Sequence, residues 1–314
     1  MLINKSVWIL SVLTGSMLLV MGCQPKLNDR KESAEAPTSM DTVIQEPSLE
    51  GTTEKVSVTM EDCDGNNCPV ISIDRLKTNQ FVLDNLIDQA IIQNLEETLD
   101  LFEMDPPAKT PESELAASDV TEFKSAVQLL SQRIQPYVDH FIGLDKELKE
   151  LGAGHQISLS ISPKILNSQA PLATVVLNTS SYLGGAHGSA SQTYYNFDLK
   201  KQKQISLDEI LLPKQKAQLN QLAHAQFKQW VLDSQLAENV EQYEQAWQFK
   251  LTENYFLGQK GLILQYGEYE IGPYVVGLPR LTIPYAQLST VIKPEYLAQV
   301  QPAQATSAPA SVKK

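Results

Sequence analysis

The sequence predicts an α+β fold, a mainly antiparallel sheet packed by a few long helices. Three observations lead there. Several short segments alternate apolar and polar residues with the period of a strand, and three longer stretches repeat apolar residues at helical spacing. Strands and helices also fail to alternate one for one, as a parallel sheet would require. The order is a hairpin, two helices, several strands, one helix and further strands.

The hairpin joins Lys55–Met60, where Val56, Val58 and Met60 share a side, to Val70–Ile73. A helix is predicted over residues 80–102, where Leu83, Leu86, Ile87, Ala90, Ile91, Leu95 and Leu99 form one apolar face. Prolines at 106, 107 and 111 then mark a loop. Asp119 and Glu122 have the spacing of a capping box that opens a second helix. Pro136 is expected to kink or break it, and Gly152 with Gly154 to end it.

Strands follow. His155–Ile161 alternates strictly, which suits one wet face, whereas Leu172–Leu177 is nearly all apolar and reads as buried. The strands Leu172–Leu183 and Ser189–Leu199 flank a glycine-rich stretch, and Ile205–Leu207 is a short strand. Residues 214–236 form the third long helix, with Leu219, Leu222, Ala223, Phe227, Trp230 and Val231 on one face. Residues 254–266 and 281–285 are β again.

The N-terminus carries one positive residue, Lys5, and then an apolar run from Val7 to Val20. That run is short for a membrane span and suits a signal peptide. It ends in Leu19-Val20-Met21-Gly22-Cys23, which resembles a bacterial lipobox, with Met21 a less usual choice. Residues 1–22 are therefore expected to be removed and Cys23 acylated, as with a palmitate chain. The competing readings are an uncleaved anchor and plain secretion. Gln24 stands where an inner-membrane retention signal would have Asp, so the expected location is the outer membrane, facing the periplasm. Residues 23–54 have no aromatic residue and are rich in Pro, Ser, Thr, Glu and Lys, the composition of a disordered tether, and 301–314 read as a tail. As a flexible coil, the tether would span roughly 30 Å between lipid anchor and body, and more when stretched.

Cys63 and Cys68 form an even pair in an exported chain, which reads as a disulfide. Asp62, Asp64 and Asn66 resemble the start of a calcium loop, yet the ligand expected at its twelfth position is the apolar Ile73. The disulfide-closed turn is the better reading, and no metal is expected. The net charge of −12 becomes −13 once Lys5 leaves with the signal peptide. Such a body does not suit nucleic acid and does suit a cationic partner.

Specific catalytic signals are missing from the sequence. His140, His155, His187 and His224 have no zincin-like spacing, and neither a GxSxG elbow nor a phosphate-binding loop occurs. No catalytic residue and no cofactor is expected. Two clusters remain. Gly184-Gly185-Ala186-His187-Gly188 is either the tip of a long hairpin or a ligand loop whose glycines let another molecule come close. Residues 266–278 place Tyr266, Glu268, Tyr269, Glu270 and Tyr274 within nine positions. Tyrosines of this kind either pack on their own sheet or form a binding patch.

The succession of YLGGAHG, YYNFDLKKQKQISLDEILLP, NYFLGQKGLILQYGEYEIGPYVVGL and IPYAQL resembles the RsiV-type C-terminal domain over about residues 165–292. That domain of unknown function occurs in anti-sigma factors and envelope lipoproteins, and the anti-sigma branch recognises lysozyme. The preceding hairpin and first helix resemble, more weakly, the companion domain found in PdaC-like deacetylases. The resemblance implies an N-terminal α+β region over 55–164 and a C-terminal α+β domain over 165–300. The chain has no sigma-binding segment and no deacetylase segment, so neither activity carries over.

The expectation is a non-catalytic envelope lipoprotein that binds a basic lysozyme-like protein or a cell-wall glycan. Tyr182, Gly184, Gly185, His187, Tyr194, Tyr266, Glu268, Tyr269, Glu270 and Tyr274 are the candidate contact residues, with Tyr195 packing or adding to them. The competing classes are a peptidoglycan-acting enzyme using His187 with Glu268 or Glu270, and a structural envelope-assembly lipoprotein. Anchoring is open to direct test: Cys23→Ser should stop incorporation of a fatty-acid analogue and release the protein from membranes. Continued labelling and sedimentation of that variant would remove the lipoprotein assignment.

Overall fold

The computed structural model describes residues 46–63, 65, 67–99, 125–152 and 154–297. The expected signal peptide, the Cys23 anchor and the C-terminal tail lie outside these residues, as do the proline loop and the Asp119–Glu122 box. The described residues belong to one compact unit. The architecture is the expected mixture of helices with mainly antiparallel sheet.

Six strands form the larger sheet in sequence order: β1 (Gly51–Lys55), β2 (Val70–Thr78), β3 (Ser158–Asn167), β4 (Leu172–Tyr182), β5 (Ser189–Asp198) and β6 (Lys203–Gln204). All neighbours are antiparallel except β2 and β3, which run parallel because two helices connect them. Those helices are α1 (Phe81–Thr98) and α2 (Ala126–Glu150). The smaller sheet is an antiparallel meander of β7 (Tyr255–Leu257), β8 (Gly261–Gln265) and β9 (Arg280–Pro284). Between the sheets in sequence come α3 (Leu207–Ile210), α4 (Lys216–Asp233) and α5 (Val240–Ala246), and α6 (Pro294–Leu297) follows β9.

Two apolar cores result. In the first, Leu83, Ile87, Ile91 and Leu95 of α1 and Ile134 and Phe141 of α2 pack on Ile73, Leu76, Leu159, Ile161, Val175 and Leu177 of the sheet. In the second, Leu219, Ala223, Phe227 and Val231 of α4 pack on Tyr255, Leu262, Leu264, Leu281 and Ile283. Strand β4 is buried on both faces over Leu172–Leu177, which accounts for its unbroken apolar run. Residue 164 falls inside β3; the first core draws on residues from Leu49 to Leu199, and the second on Leu172 and on residues from Ile205 to Tyr296.

Three local expectations are corrected. Helix α2 does not break at Pro136, because Ile134, Tyr137, Val138, Phe141 and Ile142 are all buried along it. Burying that face offsets the roughly 3 kcal/mol that an interior proline costs. The helix opens on a capping box of Ser125 and Gln128, in which each side chain meets the other's backbone. The expected tether ends early, since Leu49 is buried and Gly51–Lys55 is β1; the expected strand Lys55–Met60 shares only Lys55 with it, and β1 pairs with Asp74–Thr78 while Val70–Ile73 pair with β3. Strand β1 is an exposed edge whose order comes from its ladder to β2 rather than from an apolar face.

Cys63 and Cys68 are joined as a disulfide, with their Cα atoms 5.8 Å apart. The turn they close is held to the chain beyond α2. Asn67 Nδ2 donates to the Gly154 carbonyl at 2.7 Å, and Gln156 Nε2 to the Cys68 carbonyl at 2.7 Å.

One buried ion pair ties α1 to the edge of the sheet. Arg75 on β2 is 3% exposed; its Nη2 lies 2.8 Å from Asp88 Oδ2 on α1 and its Nη1 lies 2.8 Å from Glu54 Oε1 on β1. Burial pushes the Asp88 carboxyl above its ordinary range, and the hydrogen bonds from Arg75 pull it back only in part. Removing Asp88 leaves the buried guanidinium with its Nε and Nη2 unanswered and only Glu54 on its other side. Asp88→Ala should therefore cost about 3 kcal/mol in urea unfolding. A loss under about 1 kcal/mol would mean that water reaches Arg75.

Candidate functional site

The glycine-rich stretch is the tip of the β4–β5 hairpin, where Ser181 pairs with Ser189 at the last rung. Gly184 turns the chain with φ of 87°, a conformation that an L side chain resists. Gly188 has no room for a side chain, since a Cβ there would lie 2.8 Å from the Ser181 carbonyl oxygen. The tip leans on α2, because a Cβ on Gly184 would meet Leu148 at 3.1 Å.

The tyrosine-rich loop leaves β8 and folds back against this tip. The Tyr274 ring stacks on His187, with ring centres 3.8 Å apart and planes inclined by 21°. Tyr274 also donates its hydroxyl hydrogen to the Gly188 carbonyl at 2.9 Å. His187 Nδ1 lies 2.9 Å from that same carbonyl, which can only accept, so Nδ1 carries the proton. In the neutral ring Nε2 then accepts from the Tyr269 hydroxyl at 3.1 Å. Glu268 fastens the loop from the side: its two oxygens accept from the Ala190 amide at 3.0 Å and the Ser189 hydroxyl at 2.9 Å.

Tyr269 holds φ of 63°, the left-handed region, which a bulky residue adopts only when its surroundings impose it. That conformation turns its ring outward, leaving it 50% exposed. Val275, on the short turn Tyr274–Val276, is 85% exposed beside it in the chain. The result is an aromatic ridge of His187, Tyr274 and Tyr269 standing on two segments about eighty residues apart in sequence.

Of the candidate contact residues, the structure brings together Gly184, Gly185, His187, Glu268, Tyr269 and Tyr274. Four others do different work. Tyr266 is 1% exposed and donates to the Lys250 carbonyl at 2.9 Å, and burial pushes its hydroxyl far above the ordinary range. Tyr194 is buried against Phe256, at 4.3 Å between ring centres, and its hydroxyl accepts from Arg280 Nη2 at 2.9 Å. Glu270 accepts from the Gly267 amide at 2.9 Å and so closes its own turn. Tyr182 meets His155 edge to face at 6.3 Å. Tyr195 packs against the first core, and burial pushes its hydroxyl up to about 12.

Chemically, the ridge offers ring faces and hydrogen-bonding groups. The oxygens of Glu268 and Glu270 engage Ser189, Ala190 and Gly267 rather than His187. A histidine–carboxylate pair that spacing alone did not reveal joins α4 to α5, where His224 Nε2 lies 2.7 Å from Glu244 Oε1. His224 stacks on Phe249 with ring centres 5.0 Å apart, so that pair is built into the aromatic packing around α4. Among the described residues, no group of three or more His, Cys, Asp or Glu could hold a metal ion.

The fold and this ridge define a two-sheet α+β module with an aromatic face at a hairpin tip. Residues 208–286 match the model of the DUF3298 family, a protein family of unknown function. The matched segment contains the tyrosine-rich loop and stops short of the hairpin tip. Two crystal structures share the fold. One is a DUF3298 family protein from Pseudomonas aeruginosa PAO1, 24% identical, covering 80% of this chain and 96% of that one with a TM-score of 0.53. The other is a DUF3298 family member from Bacteroides fragilis, 16% identical, covering 82% and 98% with a TM-score of 0.51. No curated protein matches this chain.

Proposed function

We propose that this protein is a lipid-anchored envelope protein that binds an extracytoplasmic ligand through the ridge of Tyr269, His187 and Tyr274 and catalyses no reaction. The observation that carries the reading is Tyr269. Its strained backbone and half-exposed ring have no role in either core, whereas a rigid aromatic on a preorganised base suits an anchor residue. Cys23 would supply the anchor and Gln24 the outer-membrane address.

A basic protein is the favoured ligand, and a cell-wall glycan the second. The net charge of −12 draws a cationic partner, and the similarity to RsiV-type domains makes a lysozyme-like protein the first to try. Purified lysozyme should bind the processed chain and lose affinity as salt rises. Tyr269→Ala should cost over about 1 kcal/mol of that binding while unfolding at the parent's temperature. His187→Ala should cost less and abolish no turnover. Loss of a cell-wall hydrolysis on His187→Ala, with stability unchanged, would replace this reading with an enzymatic one.

A further inference from the structure

The end of the larger sheet remote from the hairpin tip has its own exposed apolar group. Phe81 and Val82, 72% and 51% exposed, are the first two residues of α1. Those positions ordinarily take polar or acidic residues that answer the free amides of a helix start, and Gln80 before them makes no side-chain cap. Leu166 joins them at 44% exposure, turned out where the β3–β4 register skips from Ile165 to Asn167. Asn79, just before α1, donates to the Ser48 carbonyl, and Ser48 bridges to Gln169 just after β3. Phe81 and Leu166 therefore sit at the same end. Strand β4 spans eleven residues, so that end lies about 33 Å from the tip bearing His187.

The chain joins the body at this same end. Leu49 donates its amide to the Ser168 carbonyl at 2.7 Å, and Asn79 Nδ2 donates to the Ser48 carbonyl at 3.0 Å. The residues that clamp the incoming segment are thus two positions from Phe81 and two from Leu166. Twenty-two residues lie between Cys23 and Glu46. An anchor at Cys23 would attach the body to the bilayer through this end.

We infer that Phe81, Val82 and Leu166 form a membrane-contacting face that dips into the lipid surface and points the aromatic ridge away from it. The inference rests on the lipid-anchored reading above. Contact is apolar rather than electrostatic, because a chain of net charge −12 gains nothing from anionic headgroups. Neutral lipid is therefore sufficient, and salt does not weaken the contact.

The test places an environment-sensitive nitrobenzoxadiazole dye on Val82→Cys, or on Ala186→Cys at the hairpin tip, in the full chain reconstituted into phosphatidylcholine vesicles. A parallel sample carries Cys23→Ser and an N-terminal hexahistidine tag on nickel-chelating lipid, so that attachment does not depend on acylation. In both samples the dye at 82 should shift to the blue by on the order of 10 nm. A nitroxide-labelled lipid should quench it at least about twofold more than the dye at 186. Phe81→Ser, at unchanged thermal unfolding, should remove most of both effects, and raised salt should leave them intact. Water-like emission at 82 on the tagged vesicles would overturn the inference whatever the fate of Cys23. A blue-shifted signal already present without vesicles would also overturn it, since another part of the chain or a second copy would then cover the face. Missing fatty-acid uptake at Cys23, with the tagged result intact, would instead count against the lipid-anchored reading alone.

Discussion

The arrangement depends on how the outer edge of β5 is covered. That strand pairs with β4 along one side, and β6 pairs with only Phe197 and Asp198 on the other. The rest of the outer edge would present bare backbone groups, which a folded protein must pair or expose to aggregation. The second half of the chain supplies side chains instead of a strand. Asn254 does most: its Oδ1 accepts from the Tyr194 amide at 2.9 Å and its Nδ2 donates to the Gln192 carbonyl at 2.7 Å. An asparagine amide has the donor and acceptor of a peptide group, so one residue stands in for a ladder partner. Glu268 supplies the acceptor half alone, to the Ala190 amide, and Asn196 reaches outward to donate to the Tyr255 carbonyl at 2.7 Å. Arg280 adds a lateral tie, donating to Gln192 Oε1 at 2.6 Å and to the Tyr194 hydroxyl. These bonds seat the smaller sheet on the larger, and the seating carries the tyrosine-rich loop to the hairpin tip.

Much of the fold is legible in the sequence because it rests on local periodicity. The helical faces of α1 and α4 and the hairpin around Gly184–Gly188 follow from spacing alone. What escapes is set by partners distant in the chain. Pro136 reads as a break until the buried side chains on both sides of it are counted. Strand β1 has no apolar pattern to read, because its order comes from β2. The candidate site divides along the same line. Tyr266, Tyr269 and Tyr274 look alike in sequence, yet the first is core and the others stand at the tip. Tyr194 is likewise claimed by Arg280 and Phe256, whose positions no spacing rule supplies.

The covered edge also gives the functional proposal its geometry. A ridge on a hairpin tip alone would flex. Here Glu268, Tyr269 and Tyr274 bond it to a second, independently packed layer. Ordering the aromatic rings beforehand spares a ligand that entropy cost, which is how a small patch becomes a binding site. In the proposed reading, the opposite end of the sheet, with Phe81 and the incoming chain, is the face turned to lipid.

The most direct test of the shared edge is native-state hydrogen exchange at the Tyr194 amide. If Asn254 closes the edge, that amide exchanges slowly in the parent protein. In Asn254→Ala it should exchange at least about tenfold faster, the equivalent of about 1.4 kcal/mol, while the amides of the β4–β5 ladder stay protected. A Tyr194 amide that is fast in the parent, or still slow in Asn254→Ala, would contradict the account.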